Sequence, residues 1–257
     1  MNLLKNYTLI KIFFLSLLKE RLFFQFILKN IKLSNSQLFQ DLFAFYYSGF
    51  KKNGFFIEIG VGNGKDISNT LLLEKKKNWK GLLCEADSRM IKEIKINRKC
   101  KLVALPVTSV CRKKIKFFEN LKDPYQSSSS FNLKNNYKIK YINSICINHL
   151  LEKKNSPKNI DYMSIDTEGN EYDIIKNINF NKWKIKIITI EHNFDNNNKK
   201  KIYRFLTKNN YKRVHSSISY MDDWYVLKSN WEIYFSKNVL PDVFFITKYY
   251  VKLLLIY

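Results

Sequence analysis

The amino-acid sequence predicts an α/β fold in which helices cover both faces of a mostly parallel β-sheet. Three observations point to it: short apolar runs alternate with helical stretches after residue 54, glycines cluster where the first run ends, and several runs end at an acidic residue. Strands that alternate with helices at this spacing pair in parallel. With 46% hydrophobic residues in 257, the chain can bury an ordinary core. We expect one domain over residues 51–228, with extensions at residues 1–50 and 229–257.

The first 50 residues are predicted to form a helical extension. Residues 10–31 are apolar enough to raise the question of a membrane span, but charged side chains interrupt them at Lys11, Lys19, Glu20, Arg21 and Lys29. No window of about 18 residues is free of charge, so a spanning helix is not expected. Leu, Ile and Phe lie almost all round a helix drawn over residues 3–31, so most of its surface must be covered. We expect residues 243–257 or a second subunit to cover it, with a bilayer surface as the alternative.

Three strands and two helices are predicted in the first half of the domain. The strands are residues 55–59, 81–84 and 101–105, and the helices are residues 67–77 and 90–97. A less regular part follows, in which strand-like residues 115–118 and 137–145 enclose a serine-rich segment, 127–130, that we expect to be a mobile loop. Alternation then resumes with strands 161–165 and 185–190, helices 172–178 and 199–209, and a closing antiparallel pair, 211–217 and 224–227.

The turn after the first strand carries the strongest functional signal. Four of the seven glycines, Gly54, Gly60, Gly62 and Gly64, fall within eleven residues, and glycine lets backbone approach a ligand closely. A phosphate-binding P-loop would end in Gly-Lys-Ser/Thr, which is absent. In a dinucleotide-binding fingerprint the third glycine comes later, and Glu58 would repel the pyrophosphate. A carboxylate at Glu58 instead suits a cationic ligand, such as the amino-acid part of S-adenosylmethionine.

Glu85 ends the second strand, in the position from which a carboxylate accepts two hydrogen bonds from a ribose diol. The alternative is that Glu85 only caps the following helix, together with Asp87 and Ser88. The combination of Glu85 with Glu58 and the glycines favours a cofactor site. We therefore predict S-adenosylmethionine as the cofactor, with the following residues in contact with it: Glu58, Gly60, Gly62, Asn63, Gly64, Glu85 and Val107.

Five segments resemble, in order, the FkbM family of S-adenosylmethionine-dependent methyltransferases. They are SQLFQDLF (36–43), GFFIEIG (54–60), SNT (68–70), WKGLLCE (79–85) and SIDTEGNE (164–171). The resemblance extends over about residues 36–194. It implies the class I methyltransferase fold, a Rossmann-like three-layer sandwich whose seven-stranded sheet has the order 3-2-1-4-5-7-6. It also implies O-methylation of a sugar, a glycolipid or a natural product.

Acidic residues and one histidine follow the strands at residues 161–165 and 185–190. Methyl transfer to an alcohol requires a positioned acceptor and benefits from a base as the O–H bond weakens. We predict Asp166, His192 and Glu168 as catalytic residues, with Asp166 and His192 as the best candidates for the base. No metal-ligand spacing is present and no metal site is predicted, although Mg²⁺ coordination by these three residues and Glu191 is an alternative. Aromatic candidates for stacking on a sugar ring are Tyr125, Tyr220 and Trp224.

The formal net charge of +23 initially suggests nucleic acid as a partner. However, 39 of the 45 basic residues are lysines spread along the whole chain, and residues with A/T-rich codons are abundant throughout. We therefore expect no specific nucleic-acid partner, and instead a cytoplasmic protein that acts on a small-molecule or glycan hydroxyl. A homodimer and peripheral contact with the inner face of the membrane are the further partner predictions.

The four cysteines form no Cys-x-x-Cys pair and have no histidine at zinc-ligand spacing. Free thiols are the expectation for such a set in a reducing compartment. Taken together, the residues predict an S-adenosylmethionine-dependent O-methyltransferase. The alternatives are a non-catalytic protein that binds membrane or nucleic acid through a degenerate Rossmann core, and a nicotinamide-dependent oxidoreductase.

Overall fold

The computed structural model describes residues 2–15, 21–130 and 136–230. Within them the strands are β1 (Phe55–Ile59), β2 (Lys80–Cys84), β3 (Lys101–Val103), β4 (Val107–Thr108), β5 (Lys114–Asn120), β6 (Tyr137–Asn143), β7 (Ile145–Cys146), β8 (Asn159–Ile165), β9 (Lys184–Glu191), β10 (Tyr211–Val214) and β11 (Asp222–Leu227). The helices are α1 (Asn2–Leu15), α2 (Arg21–Asn30), α3 (Gln40–Tyr47), α4 (Leu71–Lys77), α5 (Ser88–Asn97), α6 (Ile147–Lys153), α7 (Glu171–Ile175) and α8 (Asn196–Lys208).

Seven strands form the central sheet in the order β3-β2-β1-β8-β9-β11-β10. The first five are parallel to one another, and β11 is antiparallel to both β9 and β10. Numbered by their order along the chain, these strands have the arrangement 3-2-1-4-5-7-6. The predicted fold class, a mostly parallel seven-stranded sheet of the class I methyltransferase type, is therefore confirmed. Two short sheets, β4 with β7 and β5 with β6, stand apart from it.

The two faces of the sheet are buried in separate hydrophobic clusters. Successive strand residues point to opposite faces, so Phe56 packs with α3, α4 and α5, whereas Ile57 packs with α6, α7 and α8. Both side chains are fully buried. The result is the three-layer arrangement that the alternation of helices and strands predicts.

The N-terminal segment covers its own domain. Within the described residues the predicted helical extension contains α1 and α2, and residues 16–20 between them lie outside the described ranges. Phe23 stacks on His215 with ring centroids 4.2 Å apart, and Ile12, Phe24 and Ile27 are buried in the same cluster. Residues 243–257, which we expected to pack here, lie outside the described residues. No helix within the described ranges is long and apolar enough to cross a bilayer.

Three local expectations differ from the structure. Helix α4 begins at Leu71 rather than at residue 67, because residues 68–70 hydrogen-bond to Glu58 instead of continuing a helix. Trp224 is fully buried on β11 and stacks on Phe43 in the core, so it cannot reach a sugar. Residues 127–130, expected to be a mobile loop, are held by hydrogen bonds to the core of the domain.

Cys111 and Cys146 form a disulfide, which corrects the expectation of four free thiols. It joins the segment between β4 and β5 to the end of β7, which pairs with β4. Cys84 and Cys100 remain free. The disulfide was not predictable from spacing, because the two cysteines are 35 residues apart and come together only through the β4–β7 pairing.

The substitution Cys111→Ser should lower the free energy of unfolding. The disulfide closes a loop of 35 residues, and loss of a cross-link of this size costs about 3 kcal/mol. Urea denaturation of the oxidised protein measures the difference. A reducing agent should destabilise the wild type by a similar amount and leave the variant unchanged. If thiol titration of the denatured, unreduced protein counts four free cysteines, the cross-link is absent.

Candidate functional site

A cleft of about 940 Å³ lies at the carboxyl ends of β1, β2, β8 and β9. Open parallel sheets bind their ligands at this edge. The volume is at the upper end of the range of small-molecule sites, which is large enough for a cofactor and an acceptor together. Of the predicted site residues, the cleft wall brings together Glu58, Gly60, Gly62, Glu85, Val107, Asp166, Glu168 and His192.

The carboxylate of Glu85 is bound by four backbone N–H groups. Its Oε2 accepts hydrogen bonds from Val61 and Gly62 in the glycine turn, at 3.1 and 3.0 Å. Its Oε1 accepts from Ala86 and Asp87, at 2.7 and 2.9 Å. Glu85 therefore ties the turn after β1 to the turn after β2. It remains half-buried on the cleft wall, although burial raises its pKa.

Gly60 brings the ends of β1 and β8 into contact. A Cβ at this position would lie 1.5 Å from the carbonyl oxygen of Asp166, and the backbone φ of Gly60 is +79°. No other residue type fits there. The amide of Asp166 donates to Ile59, the residue before Gly60. This close approach places the acidic turn after β8 beside the glycine turn after β1.

Glu58 has a set of partners within the protein that the sequence did not predict. Its side chain is 2% exposed and accepts hydrogen bonds from the Asn69 amide at 2.7 Å and the Thr70 hydroxyl at 2.6 Å. The guanidinium of Arg98 lies 3.4 Å from Oε2. Glu58 therefore fixes the segment that precedes α4, and the expected contact with a cofactor amino group stays a prediction.

Arg98 is the centre of this buried network. Its side chain is fully buried and also donates to Glu74, Ser68 and the carbonyl oxygen of Gly64. Burial alone would raise the pKa of Glu74, but Arg98 holds it below its ordinary value. The sequence analysis missed Arg98, because the residue lies 40 positions from Glu58 and no local pattern links the two.

Two predicted cofactor residues do not line the cleft. The side chain of Asn63 accepts from the Lys65 and Asp66 amides and donates to the Asp66 carboxylate, so it stabilises the turn. A Cβ at Gly64 would lie 3.3 Å from the side chain of Ile94 on α5. Val107 does line the cleft and is buried at the start of β4. Leu105 and Pro106 extend this apolar wall beyond Glu85.

Three carboxyl groups meet on the opposite wall. Asp166 follows β8, Glu191 ends β9, and Glu168 lies in the turn between β8 and α7; each offers an oxygen within 4.8 Å of the other two. The oxygens of Asp166 and Glu191 are close enough for a proton on one of them to relieve their mutual repulsion. Asn193 donates to Glu168 at 3.2 Å.

Burial and mutual repulsion raise the pKa of all three carboxyl groups. For Asp166 burial acts first and the Glu168 charge second; for Glu191 burial is followed by the charges of Asp166 and Glu168. The pKa of Glu168 is raised to about 7, by burial and then by Glu171 and Asp123. At neutral pH the cluster therefore holds protons that isolated carboxylates would release.

The same three carboxyl groups could ligate a metal ion. Carboxylate oxygens at this separation suit a hard divalent cation such as Mg²⁺. A bound cation would replace the shared protons and lower all three pKa values. Either shared protons or a bound cation can therefore compensate the negative charge of the three carboxyl groups. The described residues contain no other cluster of three or more His, Cys, Asp or Glu side chains close enough to bind one metal ion.

His192 borders the cleft, but its ring nitrogens face elsewhere. Nδ1 accepts from the Phe194 amide at 3.2 Å, and Nε2 lies 3.8 Å from Asp223 on β11. The imidazole side chain is 1% exposed. Burial lowers the pKa of His192, so the ring is neutral near pH 7. This placement favours Asp166 over His192 as the residue that accepts a proton in the cleft.

A serine strap, which we define as residues 123–130, lines the cleft between its two walls. Ser127 donates to Asp87 at 2.8 Å, and Ser128 donates to the carbonyl oxygens of Thr167 and Glu168 at 3.0 and 2.9 Å. Tyr125 lies on Gly62, where a Cβ would be 2.4 Å from the ring. The strap thus connects the cofactor wall to the acidic wall.

Comparison with known proteins agrees with this geometry. Residues 58–213, more than half of the chain, match the model described as the methyltransferase FkbM domain. Among curated protein sequences, none matches. A similar solved structure is precorrin-6y C5,15-methyltransferase from Geobacter metallireducens GS-15, with 11% sequence identity, 72% of this chain and 84% of that chain covered, and a TM-score of 0.40. That similarity is too low to support an inference about substrate.

The substitution Arg98→Met should destabilise the protein by about 3–5 kcal/mol, because it leaves the buried Glu58 and Glu74 without a cation. Urea denaturation measures this. Lys182→Met is the matched control: its ion pair with Glu152 is exposed on both sides, so its loss should change the free energy of unfolding little. Equal losses in the two variants would contradict the role of Arg98.

Stability should fall as pH rises from about 5 to about 8. Above pH 4.5 the unfolded chain releases the Glu168 proton, whereas the folded chain keeps it up to about pH 7. The unfolded state is therefore favoured by increasing pH, by on the order of 2 kcal/mol for this group. Urea denaturation across this range should show a shallower pH dependence in Glu168→Gln. Asp173→Asn, an exposed carboxylate paired with Lys176, should keep the wild-type slope.

Proposed function

The chain belongs to the FkbM methyltransferase family, and from this premise we propose that it transfers a methyl group from S-adenosylmethionine to a hydroxyl group of a sugar, a glycan or another small polyol. One observation carries the proposal. A single cleft joins the glycine turn and Glu85 on one wall to the Asp166, Glu168 and Glu191 carboxyl groups on the other. The first wall suits an adenosyl cofactor and the second suits an acceptor that loses a proton.

The cofactor wall has the chemistry that an adenosyl group requires. Glu85 is a half-buried carboxylate directed by four amides, and a ribose diol would donate to it. Leu105, Pro106 and Val107 supply an apolar surface beside it, which suits a purine ring. When bound, S-adenosylmethionine supplies an electrophilic methyl group carried by a sulfonium cation.

The acceptor wall supplies the proton acceptor. Burial and the neighbouring carboxyl groups raise the pKa values of both Asp166 and Glu191, so this pair holds a proton near neutral pH. Asp166 lines the cleft beside Gly60, and in the ionised form of the pair its carboxylate would take the hydroxyl proton as the O–H bond weakens. The pKa of Glu168 is about 7, so its carboxyl group is partly ionised at neutral pH beside the Asp166–Glu191 pair. A general base is most effective when its pKa lies near the working pH.

The charge of the cleft argues against polyanionic acceptors. Although the chain carries 45 basic and 22 acidic residues, a single lysine, Lys201, contributes to the cleft wall. Nine acidic residues line it: Glu58, Glu85, Asp123, Asp166, Glu168, Glu171, Asp173, Glu191 and Asp195. A nucleic acid or a phosphorylated sugar would be repelled there. An uncharged hydroxyl acceptor and a cationic sulfonium are both compatible with this wall.

A non-catalytic protein that binds membrane or nucleic acid is the second candidate function. The observation that favours it is the excess of positive charge outside the cleft. Such a protein would bind polyanions in a steeply salt-dependent way and would have no affinity for the cofactor product. A binding measurement with the cofactor product therefore distinguishes the two functions.

S-adenosylhomocysteine should bind the wild-type protein in a calorimetric titration. Glu85→Ala should weaken binding about 10- to 100-fold, because it removes charge-assisted hydrogen bonds to the ribose, and Glu85→Gln should lie between the two. Glu152→Ala, an exposed carboxylate far from the cleft, should bind like the wild type.

A wild-type protein inert to S-adenosylhomocysteine would overturn the proposal in favour of the second candidate. Transfer of labelled methyl from S-adenosylmethionine to a panel of neutral polyols then identifies the acceptor class. The same assay with a chelator and with added Mg²⁺ decides between shared protons and a cation at the three carboxyl groups. Transfer that occurs only to amines would refute O-methylation.

A further inference from the structure

A second cavity, of about 570 Å³, lies at the opposite edge of the sheet from the cleft. The first residues of β1, β2 and β3 are neighbours in register there, with Phe55 beside Lys80 and Leu82 beside Lys101. The ends of α4 and α6 complete the wall. Because β2 is five residues long, about 16 Å of strand separates this cavity from the cleft.

Lysines dominate the wall of this cavity. Five contribute to it from four different segments of the chain: Lys75, Lys80, Lys99, Lys101 and Lys154. Its one carboxylate, Glu74, is bound by the Arg98 guanidinium and the Lys99 amide. None of the five ammonium groups has a carboxylate partner among the described residues. Most of the other lysines described there also have none, so what distinguishes these five is their arrangement around one concave space.

Codon bias explains how many lysines the chain has, but it does not explain this placement. Here five like charges surround one concave space, and their repulsion raises the free energy of the empty state. An anion that enters the space would neutralise several of them at once.

The other residues of the cavity wall limit which ligands the cavity can bind. The floor contains Phe55, Leu82 and the edge of Trp79, which is 2% exposed and donates its indole N–H to the Lys51 carbonyl oxygen. Burial and the neighbouring Glu74 raise the pKa of the Cys100 thiol to about 12, so this thiol stays protonated at neutral pH.

We propose that this cavity binds a small, multiply charged phosphate compound. Ammonium groups act as point charges on phosphate oxygens, and five of them match the charge of a di- or triphosphate better than that of a single carboxylate. The concave shape accepts a compact group, either a free polyphosphate ester or the phosphorylated headgroup of a lipid. The inference is independent of the methyltransferase proposal, because no cleft residue contributes to the cavity.

Calorimetric titration of the full chain with sodium tripolyphosphate tests the inference. The cavity variant carries Lys99→Gln, Lys101→Gln and Lys154→Gln. The matched control carries Lys114→Gln, Lys116→Gln and Lys138→Gln, which lose the same charge from exposed positions on β5 and β6. We expect the wild type and the control to bind tripolyphosphate alike. The cavity variant should bind it at least about tenfold more weakly. Near-UV circular dichroism checks that all three proteins are folded. If the triple variant is not folded, a double variant with Lys99→Gln and Lys101→Gln takes its place.

Equal weakening in the cavity variant and the control would overturn the inference, because net charge alone would then explain binding. Absence of binding by the wild type would overturn it too. Vesicles that contain a phosphoinositide distinguish the two sources of phosphate: cavity-dependent binding to these vesicles and to tripolyphosphate supports a headgroup, whereas cavity-dependent binding to tripolyphosphate alone supports a free ligand. Binding to phosphatidylglycerol vesicles alone, unaffected by the cavity variant, would mean a diffuse membrane surface and refute the site.

Discussion

The buried guanidinium of Arg98 is the constraint on which the cofactor wall depends. A charge that is fully removed from water must be neutralised and hydrogen-bonded, and Arg98 meets this requirement only with Glu58 from β1, Glu74 from α4 and the Gly64 carbonyl oxygen in place. The glycine turn, the start of α4 and the end of α5 are thereby fixed relative to one another. Glu85 then aligns the turn from its other side, through the Val61 and Gly62 amides.

The acidic wall depends on a different constraint, which is steric. Gly60 leaves no space for a side chain against the Asp166 carbonyl oxygen, and this contact sets the distance between the turns after β1 and β8. Asp166 is then close enough to Glu191 on the neighbouring β9 for their carboxyl groups to share a proton. The two walls therefore meet at Gly60, where a cofactor and an acceptor would have to approach each other.

Much of the fold was predictable because its signals are local. Strand β1 has the predicted bounds, and the predicted closing antiparallel pair, residues 211–217 and 224–227, corresponds to β10 and β11. The site was predictable where a residue ends a strand, as with Glu85 and Asp166. Arg98, the serine strap and the Cys111–Cys146 disulfide were not, because each depends on contacts between segments about 30 to 40 residues apart. Asn63 looked like a ligand residue because of its neighbours, yet its side chain serves the turn.

The distribution of charge follows from the same geometry. Carboxylates collect at the carboxyl ends of the strands, and unpaired lysines collect at the amino ends of β1, β2 and β3. A uniformly positive surface would repel a sulfonium cation, so an acidic cleft is needed to offset the net charge of +23 at the place where that cation would bind. The raised pKa values of Asp166, Glu168 and Glu191 are the energetic consequence, because carboxyl groups brought together this closely hold protons unless a cation takes their place.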